Sequence, residues 1–399
     1  MLSPGQADEL IGRHLTCLPT VSLPLLQCAG AVLREDIHAE RDQSPSDRVA
    51  MDGIALQSAA VAAGQRHFQI QATQAAGEPA LTLASAQHCI EVMTGTPLPV
   101  DCDCVVPVEQ IGVADGHATL MEGLTVAAGQ HLHHRGTDAR QGELLLCAGM
   151  RLGAPQIAVV AAAGKARVRV ASQPMVAVLS TGNELIEPGE PILDHQVRRS
   201  NAYAIAAALE LHGYPRIATE HLRDDAAELE SRLKFHLETH DVLVLSGGVS
   251  MGKLDLVPQA LESLGVRCVF HKVAQRPGKP LWFGMAPSGA AVLALPGNPV
   301  STAVCVSRYV LPALAAAQGL RCGPVEQISL AEPVTVTVPL TFFLPVQRVT
   351  DAHGCCRAMP KRTHGSGDFT SLAATDGFVQ LPPGPNTYPA GFVAPLYRW

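Results

Sequence analysis

The chain has 399 residues, 47% of them hydrophobic and 16% charged, enough apolar material for two to four separate cores, so a single domain is not expected. Its 29 Lys and Arg against 36 Asp and Glu give a net charge of −7, which argues against general nucleic-acid or membrane-surface binding and requires local basic clusters wherever an anion is held. Acids stand near the N-terminus where a signal peptide needs a basic segment, and no apolar run reaches the ~18 residues of a membrane span. The eleven cysteines are scattered, the close pairs Cys102-x-Cys104 and Cys355-Cys356 lacking structural-zinc spacing, so a cytoplasmic protein with reduced, mostly buried thiols is expected.

In chain order, residues 7–39 carry helical periodicity (Leu10, Ile11, Leu15) and then an apolar stretch ending near Ile37, predicting a helix and a short strand. From Asp42 the texture changes to short β-prone runs broken by glycine and proline, at 68–72, 88–93, 104–107, 117–121 and 142–146, predicting a β-rich insertion. A helical, alanine-rich pattern at 153–164 and an alternating run at 166–170 complete the first segment. Beyond 173 apolar runs of four or five residues (175–179, 242–245, 291–295) alternate with helical patterns at 202–211 and 226–240, which predicts a parallel sheet with right-handed crossovers. Ligands of such sheets gather beyond the carboxyl ends of the strands. The three strands end in small-residue turns carrying Glu184, Asp255 and Asn298, so these turns are expected to converge on one crevice. After Gly319 the runs 334–338, 342–349 and 377–381 predict a small C-terminal β domain, whose turn Lys361-Arg-Thr-His-Gly-Ser-Gly-Asp368 adds basic residues beside a glycine loop.

The richest stretch is Ser246-Gly-Gly-Val-Ser-Met-Gly-Lys-Leu-Asp255. Glycines directly after a buried strand let backbone N–H groups approach an anion, and a following helix N-terminus adds positive potential, so a phosphate-bearing ligand is expected at Ser246, Gly247, Gly248 and Ser250. A P-loop reading fails at Leu254, where a Ser or Thr hydroxyl would hold Mg²⁺. A nucleophile-elbow reading around Ser250 finds Asp255 and then His271, His353 and His364 in the required order, and stands as a competitor. A tight glycine turn without ligand is the bland alternative.

Lys272, Arg276 and Lys279 put three cations on a strand and the loop after it, suited to a multi-oxygen anion; a solvated charged edge is the alternative. Asp52, Asp138, Glu184, Asp224 and Asp255 sit beside glycines or at element ends, and carboxylates with phosphate oxygens are the hard ligands Mg²⁺ prefers. Against this, Asp224 would serve equally as a helix N-cap and Asp52 as a turn stabiliser. His131, His133 and His134 lack companion ligands and read as an exposed β edge, and Trp282 and Phe283 as core.

With these residues in view, the chain resembles the molybdopterin molybdenumtransferase family, the MoeA proteins and the E domain of gephyrin. The resemblance runs in order through Ser44-Pro-Ser-Asp-Arg-Val-Ala-Met-Asp-Gly-Ile54, Met93-Thr-Gly-Thr-Pro97, Arg135-Gly-Thr-Asp138, Leu179-Ser-Thr-Gly-Asn-Glu-Leu185, Ser246 to Asp255, Lys272 to Pro280 and Leu295-Pro-Gly-Asn-Pro-Val-Ser301, covering nearly the whole chain. It implies an α/β multidomain fold: a discontinuous N-terminal α+β domain (1–41 and 143–172), an inserted β-rich domain (42–142), a molybdopterin-binding α/β domain with a central parallel sheet (173–318) and a C-terminal β barrel (319–399). It further implies a homodimer in which Asp52 and Thr94 serve a site completed by Glu184 and Asp255 of the partner chain. The implied reaction takes molybdate and adenylylated molybdopterin with Mg²⁺ and yields molybdenum cofactor and AMP. Molybdenum is held by the pterin dithiolene, so no soft protein site is needed.

In that frame Asp52, Glu184, Asp224 and Asp255 are the catalytic candidates, with Glu184 and Asp255 for the metal. Thr94, Arg135, Asp138, Ser246, Gly247, Gly248, Ser250, Lys272, Arg276, Lys279, Pro296, Asn298 and Ser301 are the substrate-binding candidates. Molybdopterin adenylyltransferase and molybdoenzyme maturation proteins would be partners, and neither nucleic acid nor membrane is expected. Three positions depart from the pattern: Ile54 for a tyrosine, Asn183 for an aspartate and Arg276 for a lysine. An adenylyltransferase, sharing only the α/β domain, would lack the inserted domain and the barrel, and a scaffold would have lost the carboxylates.

Overall fold

The computed structural model describes residues 1–249, 256–384 and 386–399. The chain opens with α1 (Pro4–His14), started by Ser3, whose hydroxyl accepts from the Gln6 N–H while the Gln6 side chain accepts from the Ser3 N–H. Next, β1 (Thr20–Pro24) pairs antiparallel with a strand 143 residues further on that closes the same small core around Leu33, Ile37, Leu152 and Val160. Between them lies a six-stranded sheet built from β2 (Gly53–Leu56), β3 (His67–Gln74), β4 (His88–Val92), β5 (Cys104–Pro107), β6 (Ile111–Ala114) and β7 (His117–Leu120), in the order β5-β2-β4-β3-β7-β6. Gly53 enters this sheet where an added Cβ would stand 2.0 Å from the Val106 carbonyl, so only glycine lets the two strands approach there. After α2 (Ala154–Ala162), β8 (Arg167–Ala171) is the partner of β1.

The next unit comprises β9 (Val176–Thr181), α3 (Ser200–Leu211), β10 (Ile217–Leu222), α4 (Ala226–Thr239), β11 (Val242–Ser246), α5 (Leu256–Ser263), β12 (Arg267–His271), β13 (Trp282–Met285), β14 (Ala291–Leu295) and α6 (Pro299–Cys305). Its sheet runs β10-β9-β11-β14-β13-β12. The four strands β10, β9, β11 and β14 are parallel, as the alternation predicts, but β13 runs antiparallel to β14, and β12, antiparallel to β13, closes that edge. The sheet is therefore mixed: β12, β13 and β14 follow one another with only short connections, and a crossover requires a dozen or more residues. Continuous apolar strands follow from burial on both faces: Val176, Val178, Val242, Val244 and Leu293 pack toward α3 and the 299–317 helix, while Ala177, Leu179, Leu243, Leu245 and Val292 pack toward α4 and α5.

The expectation that no apolar run reaches the length of a membrane span is corrected: helical residues Pro299–Ala317 are long and apolar enough to cross one. The segment is 83% buried inside the protein, and its Arg308 makes a bidentate ion pair with Asp8 of α1 (2.7 and 2.6 Å), so its apolarity belongs to the core.

The C-terminal sheet comprises β15 (Gln327–Leu330), β16 (Thr341–Thr350), β17 (Cys356–Pro360), β18 (Gly377–Leu381) and β19 (Val393–Arg398), ordered β16-β17-β15-β19-β18 and closed by the β16–β18 pairing. A closed five-stranded barrel results, with Val346, Val379 and Leu396 in its core. One further strand joins it from outside: Gln275–Arg276 pairs parallel with Thr341 and Phe342 of β16.

Two local expectations are corrected. The N-cap of α4 is Asp225, whose Oδ1 accepts from the Glu228 N–H at 2.8 Å, and not Asp224. Of the eleven thiols, all free, five are buried (Cys28, Cys89, Cys102, Cys104, Cys305) and five are exposed, the latter including Cys268 and Cys356 on strands whose starts face solvent, so mostly buried thiols are not found. Trp282, Phe283 and the departing Ile54 are core residues, as their apolar settings require.

Candidate active site

Strand register places the three turns side by side. Ser180 of β9 stands opposite Ser246 of β11, and Ser246 opposite Leu295 of β14, so the chain leaves all three strands at one level of the sheet. Gly247 and Gly248 follow with φ of 99° and 66°, conformations L side chains rarely adopt. A Cβ on Gly247 would meet the Thr181 carbonyl at 2.7 Å, and one on Gly297 would touch Gly247 Cα at 3.6 Å. The glycine turn is thus packed between the other two. Ser250 and Asp255 lie outside the described residues, and the nucleophile-elbow reading goes with them. His271 Nε2 lies 3.3 Å from the Val249 carbonyl, and His364 bonds Asp368.

On the β9 side, Glu184 is exposed and its carboxylate folds back over Gly182, where a Cβ would clash at 2.4 Å. Asp224 is tied to the same turn by a reciprocal pair: its Oδ2 accepts from the Asn183 N–H and its own N–H donates to Asn183 Oδ1, both at 3.1 Å. Asn183, where an aspartate was expected, therefore holds Asp224 against Glu184's turn.

On the β14 side lies a cavity of about 950 Å³ between the α/β unit and the barrel. Arg276, Lys279, Pro296, Asn298 and Ser301 line one wall and Lys361, Arg362, His364 and Ser366 the other. The walls are joined where Asn298 Nδ2 donates to Ser366 Oγ (2.7 Å) and the Val300 N–H to the Ser366 carbonyl (3.0 Å). Buried Gln275 braces the cation loop from beneath, its Nε2 donating to the Pro277 and Gly278 carbonyls at 3.3 and 3.2 Å. Lys272 does not line this cavity; its backbone N–H is committed to the Leu281 carbonyl at the mouth of β12 and β13. The sequence singled out the 361–368 turn as basic but did not assign it to the site, because only the pairing of Gln275–Arg276 with β16 brings it opposite Lys279.

A second cluster lies in the inserted sheet. Asp52 Oδ1 accepts from the Thr94 N–H (2.6 Å) and Thr94 hydroxyl (2.8 Å), which hold its carboxyl below the usual carboxylate range. Arg135 Nε bonds Asp42 (2.6 Å), its N–H bonds Asp47 (2.8 Å), and Asp138 meets His133 at 3.0 Å. His134 takes Asp47 instead, so the three histidines face different partners, and no metal-binding group of three appears among the described residues. No hydrogen bond or ion pair among the described residues joins this cluster to the strand-end turns.

Fold and site together define a multidomain α/β protein with a cation-lined crevice at its strand ends. Family models match along the chain: the "MoeA N-terminal region (domain I and II)" over residues 2–164, a "probable molybdopterin binding domain" over 177–316 and the "MoeA C-terminal region (domain IV)" over 327–399. A molybdopterin molybdenumtransferase from Synechocystis sp. is 36% identical over 400 residues, covering 100% of both chains, and one from Staphylococcus aureus is 28% identical over 396 residues, covering 97% of this chain and 93% of the other. A solved molybdopterin biosynthesis MoeA protein from Pyrococcus horikoshii superposes with a TM-score of 0.81 at 28% identity, covering 100% of this chain and 99% of that one. The chain belongs to the MoeA, or molybdopterin molybdenumtransferase, family.

Proposed function

We propose that this enzyme transfers molybdenum from molybdate to adenylylated molybdopterin, releasing AMP and yielding molybdenum cofactor. The observation that carries the reading is the common level of the β9, β11 and β14 ends, which sets a glycine turn between a carboxylate turn and a cation-lined cavity. Full-length similarity to relatives of that name supports it, and the inserted sheet and barrel together weigh against a free-standing adenylyltransferase.

In this reading the Ser246-Gly247-Gly248 turn, its Gly247 N–H tied to the Leu295 carbonyl at 3.2 Å, brings the backbone close to the pterin phosphate, and Ser250 belongs to the same cradle. Arg276 and Lys279, with Lys361 and Arg362 opposite, hold the tetrahedral oxyanion, the planar guanidinium groups by paired N–H donors and the lysines as point charges. Asn298 and Ser301 orient it, and Pro296 stiffens the loop that carries them. The fit to Mg²⁺ is that of a site with few protein ligands: Glu184 is exposed, and Asp224 is pinned beside it through Asn183. One or two carboxylates plus phosphate oxygens and water suffice for this ion, and Glu184 with Asp255 would supply them. Bound there, Mg²⁺ would neutralise charge on the phosphoanhydride.

The remaining residues, Asp52, Thr94, Arg135 and Asp138, act in our reading from the inserted domain of a second copy, in a homodimer whose crevice is shared. Domain limits near residues 42, 143, 173 and 319, a cytoplasmic setting, and hand-over between molybdopterin adenylyltransferase and molybdoenzyme maturation proteins belong to the same proposal. Incubation with adenylylated molybdopterin and Mg²⁺, with and without molybdate, tests it. Molybdate-dependent AMP release with reconstitution of a cofactor-free molybdoenzyme, lost in Asp255→Ala, is expected; neither signal from a folded dimer would overturn it.

A further inference from the structure

The start of α3 reaches all three strand ends. Asn201 Nδ2 donates to Ser246 Oγ at the end of β11 and to the Gly297 carbonyl after β14, both at 2.8 Å. Arg199, one residue before the helix and 7% exposed, donates from Nε to Ser180 Oγ at the end of β9, at 2.6 Å. Its Nη1 bonds Glu187, beyond the Glu184 turn, and Glu187 also accepts from the Tyr203 hydroxyl of α3 at 2.9 Å. The guanidinium holds the Glu187 carboxyl below the usual range. Burying a guanidinium is costly unless it is paired and hydrogen-bonded, and here the partners are the residues flanking the carboxylate turn. The Glu184 turn also has short backbone pairing, Leu185 and Ile186 with Val197 and Arg198, and the side chains of Arg199 and Asn201 carry that anchorage from the helix start to the strand ends.

We infer that Arg199 and Asn201 are positioning residues: a two-pronged brace from α3 that sets the Glu184 turn, the glycine turn and the Pro296–Ser301 loop in mutual register for the transfer step. This rests on the proposed function. The two prongs act on different turns, Arg199 on residues 180–187 and Asn201 on residues 246 and 297, and that division is testable. Neither side chain is assigned contact with substrate.

The experiment combines amide hydrogen exchange with steady-state kinetics on the full-length protein, using Asn201→Ala, Arg199→Met and the conservative Arg199→Lys. Losing one such tether raises local opening about tenfold. Asn201→Ala should therefore speed exchange about tenfold in 244–249 and 294–298 but not in 180–187. Arg199→Met should do the reverse, and Arg199→Lys should recover part of the protection. Misplacement on the order of 1 Å lowers the chemical step by up to about 100-fold, so kcat should fall 10- to 100-fold with KM changed only a few-fold. A uniform rise in exchange, or local loosening with kcat unchanged, overturns the inference. If the wild-type protein shows no molybdate-dependent turnover, the proposed function fails, while the brace stands or falls on the exchange pattern alone.

Discussion

At the residue scale, charge and its placement are the testable quantities. A charge-assisted hydrogen bond contributes about 1.5–3 kcal/mol, so Lys279→Ala or Arg276→Ala should raise the KM for molybdate about 10- to 100-fold, more steeply at low salt, with Tm little changed. Lys272→Ala, away from the cavity, should leave that KM within a few-fold of wild type, and a steady-state titration of all three separates them. Asp52→Asn keeps an oxygen for the Thr94 donors and removes only charge. It should fold normally and lose kcat about 100-fold; retention of activity would make Asp52 a turn stabiliser. Most of these residues were legible in the sequence because chemistry-bearing types stand beside glycines. Lys272 lies apart from Arg276 and Lys279 for a physical reason: spacing along the chain does not show that one strand ends at His271 and another starts at Gln275. Arg199 and Asn201 went unnoticed because their partners lie up to 96 residues away.

At the element scale, the parallel part of the sheet and its turns follow from continuous apolar runs ending in small residues. The reversed strand was hidden, because an apolar run such as Trp282–Met285 reads the same in either strand direction, and β12 beside it is too exposed to announce itself. Gly247→Ala would set a methyl 2.7 Å from the Thr181 carbonyl at a φ of 99°, so the turn must move. Phosphate-ligand affinity should fall at least about 10-fold while the sheet persists, measurable by calorimetry against circular dichroism. The basic turn of the barrel has its own device. Asp368 accepts from the His364 N–H and the Ser371 and Thr370 hydroxyls, which hold its carboxyl well below the usual range. A depressed carboxyl contributes stability that is full above its unfolded pKa, about 4, and is lost as pH falls through the folded value. Exchange in 364–371 should therefore be constant from pH 7 to about 4 once corrected for intrinsic rates, and rise below it. Asp368→Asn should show the loosened state already at pH 7.

At the scale of the whole molecule, the proposed shared site makes a quantitative claim about mixtures. Asp52→Asn and Glu184→Gln should each keep no more than about 1% of activity, yet refolded together at equal amounts they should regain about one quarter of wild-type activity, because half the dimers are mixed and each of those has one intact site. No recovery, in mixed dimers verified by mass, would return all the residues to one chain. The four-part texture was readable from shifts between helical and β grammar, whereas the way the barrel is fastened was not, since the Gln275–Arg276 strand is only two residues long.

That short strand has a mechanical meaning. Arg276 belongs by chain to the α/β unit and by hydrogen bonding to the barrel, so the barrel works as the hand that grips one of the crevice's own cations. Tilting it would drag Arg276 with it, gearing the width of the opening to the position of a charge. A chain cut after Gln318 would accordingly lose more than its far wall: the remaining one would come unzipped at Arg276.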